Sequence, residues 1–194
     1  MRKLILVRHS EPQIERDKPA SAWRLSRSGR ARCEFLSAKL LNFNPRVIWC
    51  SKEPKAVETA EIIAHALGVP TQIADGFEEH HRSSVRFIPS RVEFEEAIAR
   101  FFREPDRLVF GTETAKQALD RFSSAIDRVV EAVPADSVVV THGTVMTLYA
   151  ASLARVPPMH FWRRLGMPSF AVFTLPDRRI LSVVENVTGS RTPQ

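Results

Sequence analysis

The sequence predicts an α/β fold: a three-layer α/β/α sandwich with a mostly parallel central sheet and an antiparallel edge element. Three observations carry this. Short apolar runs at residues 3–7 (KLILV), 47–50 (VIWC) and 137–141 (SVVVT) alternate with longer stretches whose apolar residues recur at helical spacing. The runs are continuous rather than alternately polar, which marks strands covered on both faces. Late in the chain, two further runs at 170–175 and 180–187 flank Pro176-Asp177-Arg178-Arg179 and read as an antiparallel hairpin.

The first strand is followed by a polar loop over residues 8–27. Ser26 or Ser28 then caps a helix whose apolar face is Cys33, Leu36, Leu40 and Phe43, closed by Pro45. After the second strand, Pro54 suits the first turn of a helix. Val57, Ala60, Ile63, Ala64 and Leu67 form its inner face and Gly68 its C-terminal cap. Residues 71–74 make a short third strand, turned by Asp75-Gly76 into the charged segment 78–82. Ser90-Arg91-Val92-Glu93 reads as a capping box for a helix bearing Phe94, Ala97, Ile98 and Phe101, ended by Glu104-Pro105. A longer helix over 114–132 turns Ala115, Leu119, Phe122, Ile126, Val129 and Val130 inward. The fourth strand, rich in β-branched residues, leads through His142-Gly143-Thr144 into a helix ending at Leu153. Residues 161–164 suit a short helical turn.

The chain of 194 residues suits one domain over 1–194, with 188–194 as a loose tail. A hydrophobic fraction of 44% supports a true core and excludes a disordered chain. No apolar stretch is long enough to span a bilayer, and the apolar run 4–7 is too short for a signal peptide. The expectation is a cytoplasmic protein with no membrane partner. Cys33 and Cys50 lack metal-type spacing and sit in apolar segments, so reduced buried thiols are expected. The net charge of +6 favours anionic ligands, phosphates first. No basic run is interleaved with aromatics, so nucleic acid is not expected as a partner.

In open α/β sheets ligands bind beyond the carboxyl ends of the strands. Two strands here end in histidine: Arg8-His9 after the first, His142-Gly143 after the fourth. If those strands are neighbours, both imidazoles reach one pocket. The helix after Gly143 offers free N–H groups to an anion there, and Gly143 lets the backbone approach closely. A neutral imidazole is a competent nucleophile, and Arg8 supplies a planar fork matched to phosphate. Phosphoryl transfer needs positioning and positive charge more than a metal ion.

Leu6-Val7-Arg8-His9-Ser10-Glu11 resembles the signature of the histidine phosphatase superfamily, also called phosphoglycerate mutase-like. Leu25-Ser26-Arg27-Ser28-Gly29, the stretch from Ser51 to Ala60 (SKEPKAVETA), and Val140-Thr141-His142-Gly143 resemble its other motifs in the same order. The resemblance implies His9 as the phosphorylated nucleophile, Arg8 and His142 in the phosphate pocket, and a glutamate after the third strand as general acid. Glu79 matches that position better than Glu78. Ser10 stands where the family usually has glycine, with a hydroxyl able to bond phosphate or backbone. Lys55 stands where the family has a second arginine. It either neutralises phosphate as a point charge or is an ordinary exposed helix lysine.

The expected activity is metal-independent phosphomonoester hydrolysis on a small phosphorylated substrate, with no cofactor and a phosphohistidine at His9. Catalysis falls to His9, Glu79, His142 and Arg8, and substrate binding to Arg8, Ser10, Lys55, His142 and Gly143. Two alternatives stand beside it: a phosphoglycerate-type mutase, and a weakly active phospho-ligand binding module. His80 and His81 are expected at the surface, Arg82 and Arg86 as solvated loop arginines or contacts for a second anion, and Trp23 as a wall over the pocket or surface packing. Oligomeric state and substrate identity are not encoded in any motif.

Overall fold

The structure is a computed structural model, and it describes residues 1–82, 85 and 87–188. Six strands form one sheet: β1 (Lys3–Arg8), β2 (Pro45–Cys50), β3 (Thr71–Ile73), β4 (Asp136–Thr141), β5 (Ser169–Thr174) and β6 (Ile180–Val184). Their order is β3-β2-β4-β1-β5-β6. The first four pair in parallel, while β5 and β6 add antiparallel strands at one edge. The mostly parallel sheet with an antiparallel edge is thus present.

Alternation along the buried strands divides the core. Leu4, Leu6 and Val139 face one side, where they meet Phe77, Phe122, Tyr149 and Phe173. Ile5, Val7, Val138 and Val140 face the other, against Leu36, Leu40, Ala60 and Ile63. Helices α1 (Arg27–Leu40) and α2 (Pro54–Leu67) cover the second side. Helices α4 (Ala115–Ala132), α5 (Gly143–Leu153) and α6 (Pro158–Arg164), with α3 (Arg91–Arg103), cover the first. A residue two apart on one strand therefore belongs to the same layer, which is why both faces had to be apolar.

Local signals set the helix ends. Ser26, not Ser28, caps α1 by accepting from the Gly29 N–H at 2.9 Å. Pro54 occupies the first turn of α2 and Gly68 closes it at φ 68°. Ser90 accepts from the Glu93 N–H, but among the described residues only this serine half of the expected box forms. The reciprocal box sits at Thr114 and Gln117 instead. Phe43 lies beyond α1 and packs on Phe170 from the following turn. Residue 187 is not in a strand: β6 stops at Val184, and the Val187 N–H reaches the Pro168 carbonyl at 3.0 Å. Helix α6 begins three residues before the expected turn, because Pro158 fits its first position. On α4 the buried stripe runs through Ala118 and Ala125, with Leu119 and Val130 only partly buried.

The long loop after β1 is not loose. It carries a 3₁₀ turn at Ala20–Ala22 and a bridge between Pro12 and Leu25. The Ser26 N–H donates to the Glu11 carbonyl at 3.0 Å. Glycine is required at residue 29, since a Cβ there would lie 2.1 Å from that carbonyl oxygen. The buried carboxylate of Glu58 fastens the same loop, accepting from Arg24, Arg30 and the Leu25 N–H. The two cysteines are free and buried, and burial raises both thiols, Cys50 to about 12.

Phe77 is fully buried beneath the segment that follows β3, edge-on to Phe122 at 5.8 Å, and its carbonyl accepts from the Thr141 hydroxyl. Phe77→Ala is expected to cost about 3–5 kcal/mol in urea unfolding through the cavity it leaves. Because the cavity lies under residues 78–80, the folded variant is also expected to show faster amide exchange there than at α1.

Candidate active site

Strand β1 lies beside β4, with Arg8 in register with Thr141. The His9 N–H donates to the Thr141 carbonyl at 2.9 Å. The two chains therefore leave the sheet side by side, and the rings of His9 and His142 meet edge-on at 5.0 Å between centroids. On the other flank of β4, the Ser51 N–H donates to the Val140 carbonyl, which brings the end of β2 to the same place.

His9 is 5% exposed, and its Nδ1 lies 2.7 Å from the Ser10 carbonyl. A carbonyl only accepts, so the proton sits on Nδ1 and Nε2 carries the lone pair. Burial first, together with the positive fields of Lys55 and Arg8, holds the His9 pKa well below its usual value. His142 is fully buried and likewise depressed, first by burial and then by Lys55. It is neutral, not the cationic partner that would add charge to the pocket. Its Nε2 lies 2.9 Å from the Ser51 hydroxyl and 3.5 Å from Glu53, while its Nδ1 has no partner among the described residues.

Arg8 donates from Nη1 to the Leu165 carbonyl, and its buried Nε has no partner among the described residues. Burial lowers its pKa to about 10, against the opposing pull of Glu79, so it remains a cation at neutral pH. Gly143 makes room for it: a Cβ at that position would lie 3.0 Å from Arg8 Cζ and Nε. A buried donor that lacks an acceptor is rare, and an anion beside Arg8 Nε would satisfy it.

The N-terminus of α5 is not empty. Glu79 accepts from the Thr144 N–H at 3.1 Å and the Val145 N–H at 3.3 Å. The free amides expected from the sequence are thus held by the protein's own carboxylate. The pKa of Glu79 is lowered: burial works to raise it, but Arg82 and the amide donors outweigh burial. Glu79 is therefore ionised at neutral pH in this arrangement. Glu78 faces elsewhere, accepting from the Gly76 N–H and pairing with Lys52 and Arg121.

Lys55 is neither an exposed helix lysine nor a free phosphate ligand. It is 5% exposed, and its ammonium donates to the Ala20 carbonyl at 2.7 Å and to Glu53. The same Glu53 carboxylate accepts from the Glu79 N–H at 2.9 Å. Ser10 turns its hydroxyl to the Gly29 carbonyl at 2.7 Å and its N–H to the Thr59 hydroxyl at 3.1 Å, so both donors are spent within the protein.

The segment carrying Glu79 is pinned from outside. Arg121 of α4 donates to the carbonyls of Gly76, Glu78 and Glu79 and forms an ion pair with Glu113. Glu113 in turn accepts from the His81 N–H. His80 is not a surface residue: it is 2% exposed and packs on Phe101 at 4.1 Å and Phe110 at 4.7 Å. His81 is exposed, as expected, beside Glu113. Arg82 lies over the Phe94 ring with a buried Nη1 that has no partner among the described residues. Arg86 lies outside the described residues. Trp23 packs on Phe87 and donates to the Glu15 carbonyl, closing the loop rather than lining a cleft. A cleft of about 450 Å³ is lined by Lys52, Asp75, His81, Arg121 and Arg128, and neither His9 nor His142 lines it.

Glu53 and Arg121 were not singled out by the sequence. Glu53 sits inside the second motif next to Lys55, so a carboxylate two residues before a site cation was the available signal. Arg121 had none, because its partners are about forty residues away in sequence. Among the described residues, no group of three or more His, Cys, Asp and Glu side chains is placed to hold a metal ion, and no helix is long and apolar enough to cross a membrane.

Residues 4–186 match the family model of the histidine phosphatase superfamily (branch 1). No curated protein matches the chain. Among solved structures, YhfR of Bacillus stearothermophilus superposes with a TM-score of 0.77 at 21% identity, over 97% of this chain and 98% of that one. A mycobacterial glucosyl-3-phosphoglycerate phosphatase gives 0.70 at 18% identity over 88% and 89%. A phosphoserine phosphatase mutant from Entamoeba histolytica, in complex with phosphoserine, gives 0.70 at 18% over 95% and 97%.

The protonation states set an acid limit on stability. His9 and His142 are depressed in the folded chain, so below pH about 6.5 the unfolded chain binds protons that the folded one refuses. Glu79, also depressed, works in the same direction: its contribution is present above its unfolded value and is lost as pH falls. Stability is therefore expected to drop on acidification from pH 7 to pH 5, by at most about 1.4 kcal/mol per pH unit for each histidine. His142→Asn is expected to flatten that slope in urea titrations at stepped pH. A flat wild-type profile would show that these rings titrate normally.

Proposed function

Because the chain belongs to the histidine phosphatase superfamily, we propose that it is a metal-independent phosphatase of small phosphomonoesters, acting through a phosphohistidine on His9. The observation that carries this reading is the His9 tautomer: Nδ1 is committed to the Ser10 carbonyl, and a lone pair on Nε2 stands beside His142 and Arg8. Of the solved structures that share the fold, one is a phosphoserine phosphatase complexed with 3-phosphoglyceric acid. Another is the mycobacterial glucosyl-3-phosphoglycerate phosphatase with inorganic phosphate. Both ligands belong to the phosphate class proposed here.

In this mechanism, Nε2 of His9 attacks phosphorus in line with the leaving oxygen. The N–P bond forms as the P–O bond breaks. Arg8 receives the equatorial oxygens with its Nε, His142 donates to them, and Gly143 keeps the backbone close. Glu79 protonates the departing alkoxide. Water then attacks the phosphohistidine, with Glu79 taking its proton, and phosphate leaves.

Glu79 begins this cycle ionised at the α5 amides, where the incoming phosphate also binds best. Arg8, Lys55 and Arg82 supply three positive charges, and Glu53 and Glu79 two negative ones. A phosphate dianion beside the Glu79 carboxylate raises its pKa by like-charge repulsion. Binding therefore recruits a proton to Glu79, and that proton is the one the leaving group needs. The acid is made by the substrate rather than stored in the resting site.

An aryl phosphate assayed in EDTA is expected to turn over. His9→Ala is expected to reduce kcat by about three orders of magnitude or more and to abolish the acid-labile phosphoprotein trapped by rapid quench. Wild-type turnover by that variant would refute the nucleophile. Calorimetry of vanadate or phosphate binding at pH 8, in buffers of different ionisation enthalpy, is expected to show uptake of about one proton, reduced in Glu79→Gln.

A further inference from the structure

One carboxylate in the site has no part in the chemistry described above. Glu53 is 7% exposed, and its three contacts all belong to the phosphate pocket. One oxygen pairs with the Lys55 ammonium. The other accepts from the Glu79 N–H at 2.9 Å and lies 3.5 Å from His142 Nε2. Its N–H bonds the Ser51 hydroxyl, which itself touches His142. Glu53 leads directly into α2 through Pro54, so its position is rigid.

We infer that Glu53 is an internal anion that sets the site's affinity for phosphate, holding Lys55 in reserve and lowering the retention of inorganic phosphate after hydrolysis. Two effects of the same sign support this. The carboxylate cancels the charge of Lys55, a pocket cation that would otherwise face the anion. It also places a negative charge within one imidazole of the bound phosphate, with little water between to screen it. Glu53 does not touch the reacting atoms; it acts through Lys55 and His142. The consequence is a site that grips an ester through its whole structure but releases the small free product readily.

This inference rests on the phosphatase reading for the identity of the anion, but not on turnover, so the test is direct binding. Inorganic phosphate is titrated by calorimetry, and its inhibition of aryl phosphate hydrolysis is measured in parallel. Glu53→Gln is expected to tighten phosphate at least about tenfold, equal to about 1.4 kcal/mol, and to deepen product inhibition. A residue that merely holds the loop would weaken binding when altered, so the sign separates the two roles. If Glu53→Gln leaves Lys55 too poorly paired to fold, the comparison moves to Lys55→Met against the Glu53→Gln/Lys55→Met double variant, which buries neither charge. The double variant is expected to bind phosphate at least about tenfold more tightly than Lys55→Met. Unchanged or weaker binding in the folded Gln variants would overturn the inference while leaving the phosphohistidine at His9 standing. A missing phosphohistidine with tightened binding would do the reverse.

Discussion

The parallel pairing of β1 with β4 is the constraint on which the site depends. Neighbouring strands are about 4.8 Å apart, and the two histidine rings that follow them are 5.0 Å apart, so the sheet itself spaces the imidazoles. Register matters as much as adjacency. Arg8 stands opposite Thr141, and a slip of one residue would send alternate side chains to the wrong layer. That slip is opposed by the core. Leu4 and Leu6 belong with Phe122 and Tyr149, and Ile5 and Val7 with Leu36 and Ile63. Exchanging the sets would disturb both layers, so ordinary apolar packing fixes the distance across which phosphoryl transfer is proposed.

A site that gathers several buried charges must compensate them. Isolated buried charges are costly, and pairing or hydrogen bonding offsets the cost. Here one cation and one helix dipole have an internal counterpart: Glu53 on Lys55 and Glu79 at the α5 amides. The resting site is thus stable because it is partly self-bound. Among the described residues, the buried polar atoms without a partner here include Arg8 Nε, His142 Nδ1 and Arg82 Nη1. Arg8 and His142 belong to the pair of chains that leave the sheet beside His9.

Much of this was legible in the sequence. The strand-end positions of His9 and His142 followed from apolar runs that stop abruptly, and the preference for Glu79 over Glu78 agrees with the faces they present. The side-chain partners were less readable. Lys55 looked like either a ligand or a surface lysine because periodicity describes exposure, not the carboxylate that curls back from residue 53. His80 reads as a charged-segment residue, yet Phe101 and Phe110 arrive from α3 and the loop after it to bury it. The amides of α5 appeared free because a helix start is a local feature, while the carboxylate that fills it comes from a different crossover. Contacts between distant segments leave no local pattern.

The same long-range contacts determine what is able to move. Arg121 holds the carbonyls on either side of Glu79, and Glu53 holds its N–H. The backbone of the proposed acid is therefore fixed from two sides, and Phe77 seals it from below. The Glu79 side chain, by contrast, is tied to the α5 amides by bonds of the kind another anion would also make. In the mechanism proposed above, the one movement required is therefore a change of rotamer by the Glu79 carboxyl on a pinned backbone, away from the α5 amides and toward the leaving group.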